Sequence, residues 1–405
     1  MIRLSQRVRS LSESGTVAIA GRAARLAAAG RDIVNLSVGA PDFETPAHVS
    51  AAAIEAIRRG ETRYSTSFGR AELREAVRLK FSRDNGLQYS DDQVTVGTGA
   101  KQVILNLFLA TLEPGDEVII PAPYYSSYPD LVRLAAGSPV IVECPPGAGF
   151  KLRPDGLAGA ITARTRWLVL NSPGNPAGAV YSRPELEALA AVLRGRPEIM
   201  VLSDEIYEHC LYVDAPHVSF AGLDGEMFAR TATVNGVSKT YGMTGWRIGF
   251  AAGPPELMSA ATQVQGQSTT CPPSISQIAA ALALRGPQDV VRERRAILWK
   301  RRDEAVAMMS RLPGFSCGAP DGALYLYVDC SRLVGRRFPA GGRAADDLDI
   351  ARFLLEEAGV SAVMKRLISS IEAIKQRSAP QMVLRCPKRA TTPTISGRMA
   401  AAVSA

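Results

Sequence analysis

The chain is expected to fold as an α/β protein, with a large domain on a mostly parallel, mixed sheet and a smaller α/β domain beside it. Three observations carry that expectation. Apolar strand-like runs alternate with helical patterns from about residue 46 to 285. Those runs are β-branched and nearly continuous, as in sheets buried on both faces. At 405 residues the chain is also too long for one simple core.

Taken in order, residues 1–45 read as an N-terminal arm and part of the small domain. In the large domain, 46–285, the helical segment QVILNLFLATL precedes the strand-like DEVIIP (116–121), and LVRLAA precedes PVIVEC (139–144). RWLVLN (166–171) is followed by the helical ELEALAAVLR and then by EIMVLSDE (198–205). ARTATVN (229–235) and WRIGFAAG (246–253) complete the set. Residues 287–312 read as one long charged helix leading into the small domain, 286–363, where GALYLYVD (322–329) has a strand pattern and DLDIARFLLEEAGV (347–360) a helical one. The stretch 364–405 is basic, lacks sustained periodicity and reads as an atypical solvated tail.

Bulk properties exclude several classes. Hydrophobic residues make up 46% and charged residues 21%, as in globular proteins. No run of about 18 apolar residues predicts a membrane span, and MIRLSQRVRSLSESG has no apolar signal core, so a cytoplasmic protein is expected. The net charge is +8, but residues 364–405 carry eight Lys and Arg against Glu372, or +7. The first 363 residues therefore carry 8 − 7 = +1, which argues against a nucleic-acid-binding face. Six scattered cysteines form no CxxC pair and three histidines are widely spaced, so neither a disulfide framework nor a metal site is expected.

The chemistry concentrates in the stretch 233–249, TVNGVSKTYGMTGWRIG. Lys239 follows a β-branched run, and Arg247 comes eight residues later beyond a Gly-broken loop. A desolvated lysine can form an imine with an aldehyde, and an arginine can hold a phosphate in two-point fashion. Those are the two anchors that pyridoxal phosphate needs. Asp204 ends the run IMVLSD, where a buried carboxylate needs a positive partner; a protonated pyridine nitrogen is one. Tyr207 and Asn175, the latter in the Pro/Gly-fixed loop NSPGNPAGAV, are placed to reach a phenolic oxygen. Gly97 and Gly99 lead into a helix whose first amides, at Ala100 and Lys101, can bind a phosphate. Tyr125, in PAPYYSSYP, can stack on a pyridine ring. Each residue alone also has an ordinary reading: a surface lysine, a helix-cap aspartate, a turn asparagine, a core tyrosine.

Together these elements resemble the pyridoxal-phosphate-dependent fold-type I aminotransferases, most of all the bacterial aspartate aminotransferase subgroup of class I. The resemblance covers about residues 5–362 and includes LSVGAPDFETP (36–46), YSTSFGRAELREAV (64–77), GTGAKQ, NSPGNPAGAV, SDEIYE, QSTTCPPSISQ (267–277) and DGALYLYVD. It implies that Lys239 forms the Schiff base and shuttles the proton, that Asp204 pairs with the pyridine nitrogen, and that Asn175 and Tyr207 contact the phenolic oxygen. Gly99, Ala100, Ser238, Arg247 and Tyr64 are implied around the phosphate, with Tyr64 reaching in from the partner of a homodimer. Gly39 is implied near the substrate α-carboxylate, and Lys101 at a distal carboxylate. The expected activity moves an amino group from aspartate to 2-oxoglutarate.

Two departures stand out. Position 236 is Gly where many members place a phosphate-binding Ser. The segment resembling FRLSYA, whose arginine holds the substrate α-carboxylate, is replaced after Val363 by MKRLISSIEAIKQ; Arg385 is the nearest candidate and Arg389 the next. Residues from about 364 onward are therefore expected to fall outside the family pattern, a break of the kind a reading-frame shift produces. Other donors (aromatic amino acids, alanine), a lyase on the same scaffold and a degenerate cofactor-binding protein stay open as alternatives.

Overall fold

The computed structural model describes residues 2–11, 15–37, 39–338, 342–364, 381–385 and 397–399. Its centre is a seven-stranded sheet. The strands are β2 (Val94–Gly97), β3 (Glu117–Ala122), β4 (Ser138–Glu143), β5 (Thr165–Asn171), β6 (Met200–Asp204), β7 (Thr231–Gly236) and β8 (Gly249–Ala252), after a short β1 (Val34–Asn35) in the other domain. Their spatial order is β2-β8-β7-β6-β5-β3-β4. Only β8 runs antiparallel, against both β2 and β7; the other pairs are parallel. Strand β2 is an addition to the sequence expectation, since VTVG is too short to signal itself beside the glycines that follow.

The parallel strands are apolar on both faces because helices cover both. Val103, Ile104, Leu107 and Phe108 of the helix Ala100–Thr111 pack with Val118, Trp167 and Val234 in one core. Leu186, Leu189 and Leu193 of the helix Arg183–Leu193 pack with Ile119, Leu168 and Val201 in another. That helix opens with a capping box from Ser182 and Glu185 and with Pro184 in its first turn, signals already in the sequence. The carboxyl ends of β5, β6 and β7 then point their polar residues to one edge, where ligands bind in such sheets.

The long helix Asp289–Met309 leads to the small domain. There β9 (Tyr325–Asp329), β10 (Val360–Ser361), β11 (Val363–Met364) and β12 (Gln381–Arg385) follow. β1 pairs in parallel with β10, and Leu36 lies in one core with Met309, Leu326 and Leu354. The described residues beyond Val363 do not stand apart as a solvated tail. β12 is the middle strand of a three-stranded antiparallel sheet, between β11 and β9. Met399 is buried in the same core, and Arg398 donates to the Asp32 carbonyl at 2.9 Å. The strand pattern was hidden because a middle strand of a small sheet needs only five residues. No helix among the described residues is long and apolar enough to cross a membrane.

Candidate active site

A cavity of about 510 Å³ opens at the carboxyl ends of β5, β6 and β7. It brings together Lys239, Asp204, Tyr207, Asn175, Tyr125 and Arg247, which the sequence scatters over more than a hundred positions. Gly39, Ala100, Lys101 and Ser238 line it as well.

Asp204 ends β6 and is buried. Its Oδ2 accepts from the Tyr128 hydroxyl at 2.6 Å and its Oδ1 from the Ile206 amide at 3.3 Å. Burial pushes the carboxyl up to about 6, against the pull of these hydrogen bonds. Lys239 stands three residues past β7; its Nζ donates to the Gly39 carbonyl at 2.6 Å and lies 5.7 Å from the Tyr207 ring centroid. Burial pushes this ammonium down to about 8, and the Arg247 charge adds a smaller push the same way, while nearby Cys210 and Asp204 oppose it. A fraction of the amine is thus neutral near pH 7, which an imine-forming lysine requires.

Tyr207 is buried, and its hydroxyl shares a 2.7 Å hydrogen bond with the hydroxyl of Tyr325, which reaches in from β9. Asn175 donates to the same Tyr325 hydroxyl at 3.4 Å, while its backbone amide donates to Asn171 Oδ1 at 2.7 Å. Asn171, the last residue of β5, also donates to the Asp204 carbonyl at 2.8 Å. Tyr125 meets Tyr128 edge-on at 5.4 Å, and the Lys101 ammonium sits 5.4 Å from its ring centroid.

At the opposite wall the helix Ala100–Thr111 starts from Gly99, whose φ of 89° only glycine adopts freely. A Cβ at Gly99 would collide with the Arg247 guanidinium, and one at Gly249 with the Ala100 amide. The two glycines therefore let Arg247 close on a helix N-terminus whose first amides have no intrahelical acceptor. Arg247 donates to the carbonyls of Thr244 and Thr98, at 2.9 and 3.5 Å. It has no carboxylate partner among the described residues, so the cradle carries uncompensated positive charge. Gly236 pairs with Gly249, and a Cβ there would lie 2.9 Å from the Ile248 carbonyl, so this close strand contact favours glycine at the position.

Two candidates lie elsewhere. Tyr64 is 88% exposed and does not line the cavity of its own chain. Arg385 ends β12 with its backbone in register opposite Tyr325, one strand from the cavity wall; Arg389 lies outside the described residues. Sequence reasoning passed over Tyr128, Asn171 and Tyr325. Asn171 had a signal, as the polar end of a strand pointing to the ligand edge. Tyr325 had none, since only the tertiary fold brings β9 over the large domain.

The chain matches the family model for aminotransferase class I and II over residues 31–367. It is 48% identical to the aspartate/prephenate aminotransferase of Cereibacter sphaeroides over 363 residues, 90% of this chain and 91% of that one. It is 46% identical to the aspartate aminotransferase of Rhizobium meliloti, covering 89% and 88% of the two chains. Among solved structures, the aspartate aminotransferase from Rhizobium meliloti superposes with a TM-score of 0.92 at 42% identity, covering 100% and 99% of the chains. The Thermus thermophilus aspartate aminotransferase with maleate superposes with a TM-score of 0.87 at 39% identity, covering 99% and 100%.

Proposed function

The chain belongs to the class I and II aminotransferases, and from that premise we propose that this aminotransferase carries the amino group of aspartate to 2-oxoglutarate, with pyridoxal phosphate as cofactor. The observation that carries the cofactor assignment is the pairing of a buried, cation-short Asp204 with Lys239 in one cavity, opposite a glycine-shaped anion cradle.

The residues fit the group. The amides of Ala100 and Lys101, the Arg247 guanidinium and the Ser238 hydroxyl would hold its phosphate, with Tyr64 of the partner in a cytoplasmic homodimer. Asp204 would keep the pyridine nitrogen protonated, Tyr207 and Asn175 would donate to the phenolic oxygen, and Tyr125 would cover the ring. Bound there, pyridoxal phosphate supplies an aldehyde that takes up amines and a ring that withdraws electrons from the substrate Cα.

The chain's own work is acid–base chemistry and positioning. Lys239 Nζ, neutral in part at pH 7, takes the proton from the substrate Cα. Gly39 leaves space for the α-carboxylate beside the Tyr325 hydroxyl, where a Cβ would clash. Lys101, exposed at the cavity mouth, would bind the distal carboxylate of a dicarboxylic substrate. Arg385 is the proposed α-carboxylate partner, on the strength of its place in register with Tyr325.

The test is single-turnover bleaching of the cofactor absorbance by aspartate, alanine and an aromatic amino acid, in wild type and Lys101→Ala. The expected outcome is a loss of about 10-fold or more for aspartate, with alanine within about 2-fold. Equal loss for all three would reject the distal-carboxylate role. Release of many equivalents of oxo acid per chain, together with ammonia and with no acceptor present, would reject amino transfer between substrates. Prephenate is to be run beside 2-oxoglutarate as acceptor, because the Cereibacter sphaeroides relative is named for it.

A further inference from the structure

The turn after β6 has two sides. Asp204 and Tyr207 line the cavity, while Glu205 and Glu208 lie in a buried polar layer behind it. Glu205 accepts from the hydroxyls of Ser203 and Ser219, at 2.7 and 2.8 Å, and contacts His217 Nε2 at 3.0 Å. Glu208 is paired with the ammonium of Lys80; the two side chains are 3% and 2% exposed. Nothing in the proposed chemistry uses this pair, and a buried ion pair is costly to keep.

Its connections explain what it does. Lys80 ends the helix Ala71–Lys80, and the π-turn Phe81–Asn85 that follows brings Asn85 back to it. Asn85 accepts from Lys80 Nζ at 2.5 Å and donates to Glu208 Oε2 at 2.8 Å, bridging the pair. Asn235, on β7 four residues before Lys239, donates to Glu208 Oε1 at 2.7 Å and to the Glu205 carbonyl at 3.1 Å. His209 closes the outer side, with Nε2 3.4 Å from Asp84 and 3.5 Å from Glu208. One buried ammonium thus ties a helix end to the turn carrying Asp204 and Tyr207 and, through Asn235, to the strand that delivers Lys239. The grouping of Asp84, Glu208 and His209 has the makings of a cation site, and the Lys80 ammonium already fills that role.

We propose that Lys80 is a positioning residue for amino transfer, acting through Glu208 to fix the turn that presents Asp204 and Tyr207; this rests on the cavity being the cofactor site. The Lys80–Glu208–Asn235 contacts hold the turn from two elements at once, the helix end and β7. Small displacements of groups aligned with a reacting centre cost rate out of proportion to their size.

The experiment compares wild type, Lys80→Met, Lys80→Arg and the double variant Lys80→Met with Glu208→Leu. Five quantities are read: melting temperature, amide hydrogen exchange of residues 204–210 in the cofactor-free protein, the pH midpoint of the bound cofactor's visible band, and kcat and KM for aspartate. Lys80→Met is expected to speed exchange in 204–210 by about 10-fold or more, to move the band midpoint by about half a pH unit or more, and to lower kcat by about 10-fold with KM within about 3-fold. Lys80→Arg restores part of each. The double variant, whose apolar pair removes the unpaired buried charge, recovers melting temperature but not the midpoint or kcat. A double variant with wild-type exchange, midpoint and kcat overturns the positioning role. A wild-type protein that takes up no cofactor overturns the cavity reading, and the proposal with it.

Discussion

Asp204 and Glu208 sit four residues apart on one turn, both buried, and the protein treats them in opposite ways. Glu208 also pays a burial cost, but Lys80 and the neighbouring histidines outweigh it and hold the carboxyl down to about 2. Asp204 has two hydrogen-bond donors and a smaller pull from the Lys239 charge, and burial wins, holding it up to about 6. The difference separates a carboxylate that is complete in the folded chain from one that is short of a cation. A buried acid left short is a place where a positive group is meant to arrive. Lys239 mirrors it, a cation pushed toward neutrality by the same cavity.

The largest expected effect removes the amine. Lys239→Ala should lower turnover by about 10³-fold or more and abolish the borohydride-reducible link to the cofactor, read by mass spectrometry of the intact chain. Retention of that link would move the chemistry elsewhere.

Asp204→Asn should sharpen the contrast by reversing sign with loading. The cofactor-free variant should be more stable than wild type at pH 7, by on the order of 2–3 kcal/mol in urea unfolding, because the amide carries no charge to desolvate. Its turnover should fall about 10²-fold or more, and with cofactor present wild type should regain the advantage. A cofactor-free variant less stable than wild type would break the comparison.

The pH dependence follows with opposite signs. The Glu208 carboxyl is lowered on folding, so its contribution is present above its usual 4.5 and is lost as pH falls toward 2. The Asp204 carboxyl is raised, so its cost is absent below 3.8, grows as pH climbs to about 6 and is constant above. The gap between Asp204→Asn and wild type in the cofactor-free protein should therefore open between about pH 4 and 6 and stay flat to pH 7. A gap independent of pH would mean that the carboxyl titrates alike in the folded and unfolded chain, and one still growing above pH 6 would mean that it stays neutral there.

The smallest effect concerns the cradle. Arg247→Lys keeps the charge but loses the planar fork, and should weaken cofactor retention about 10-fold with little change in melting temperature.

How much of this could be read from the chain differs by element. The alternating apolar runs located the parallel strands to within a few residues, because a doubly covered sheet demands such runs. Asp204, Lys239 and Arg247 stood out because each lies beside a strand end or a Gly-broken turn. Lys80 did not: in AELREAVRLK it resembles any charge on the wet side of an amphipathic helix. Its burial depends on Glu208 arriving from a distant strand, and no local pattern encodes that. Tyr325 was hidden for the same reason, and β12 because only its three central residues, Met382, Val383 and Leu384, are apolar and basic residues surround them.

The three-stranded sheet of the small domain also sets an order of assembly. Its middle strand, Gln381–Arg385, is made after both of its neighbours, and β1 must wait for Val360–Ser361 before it can pair. The seven-stranded sheet is complete by Ala252 and needs nothing made later to form its ladder. During synthesis the large domain can thus close while β9 still has a free edge, exposed to whatever strand comes next. Any change to Gln381–Arg385 is therefore felt first as a pairing fault on β9, in the half of the molecule that would grip the substrate, with the other half already folded.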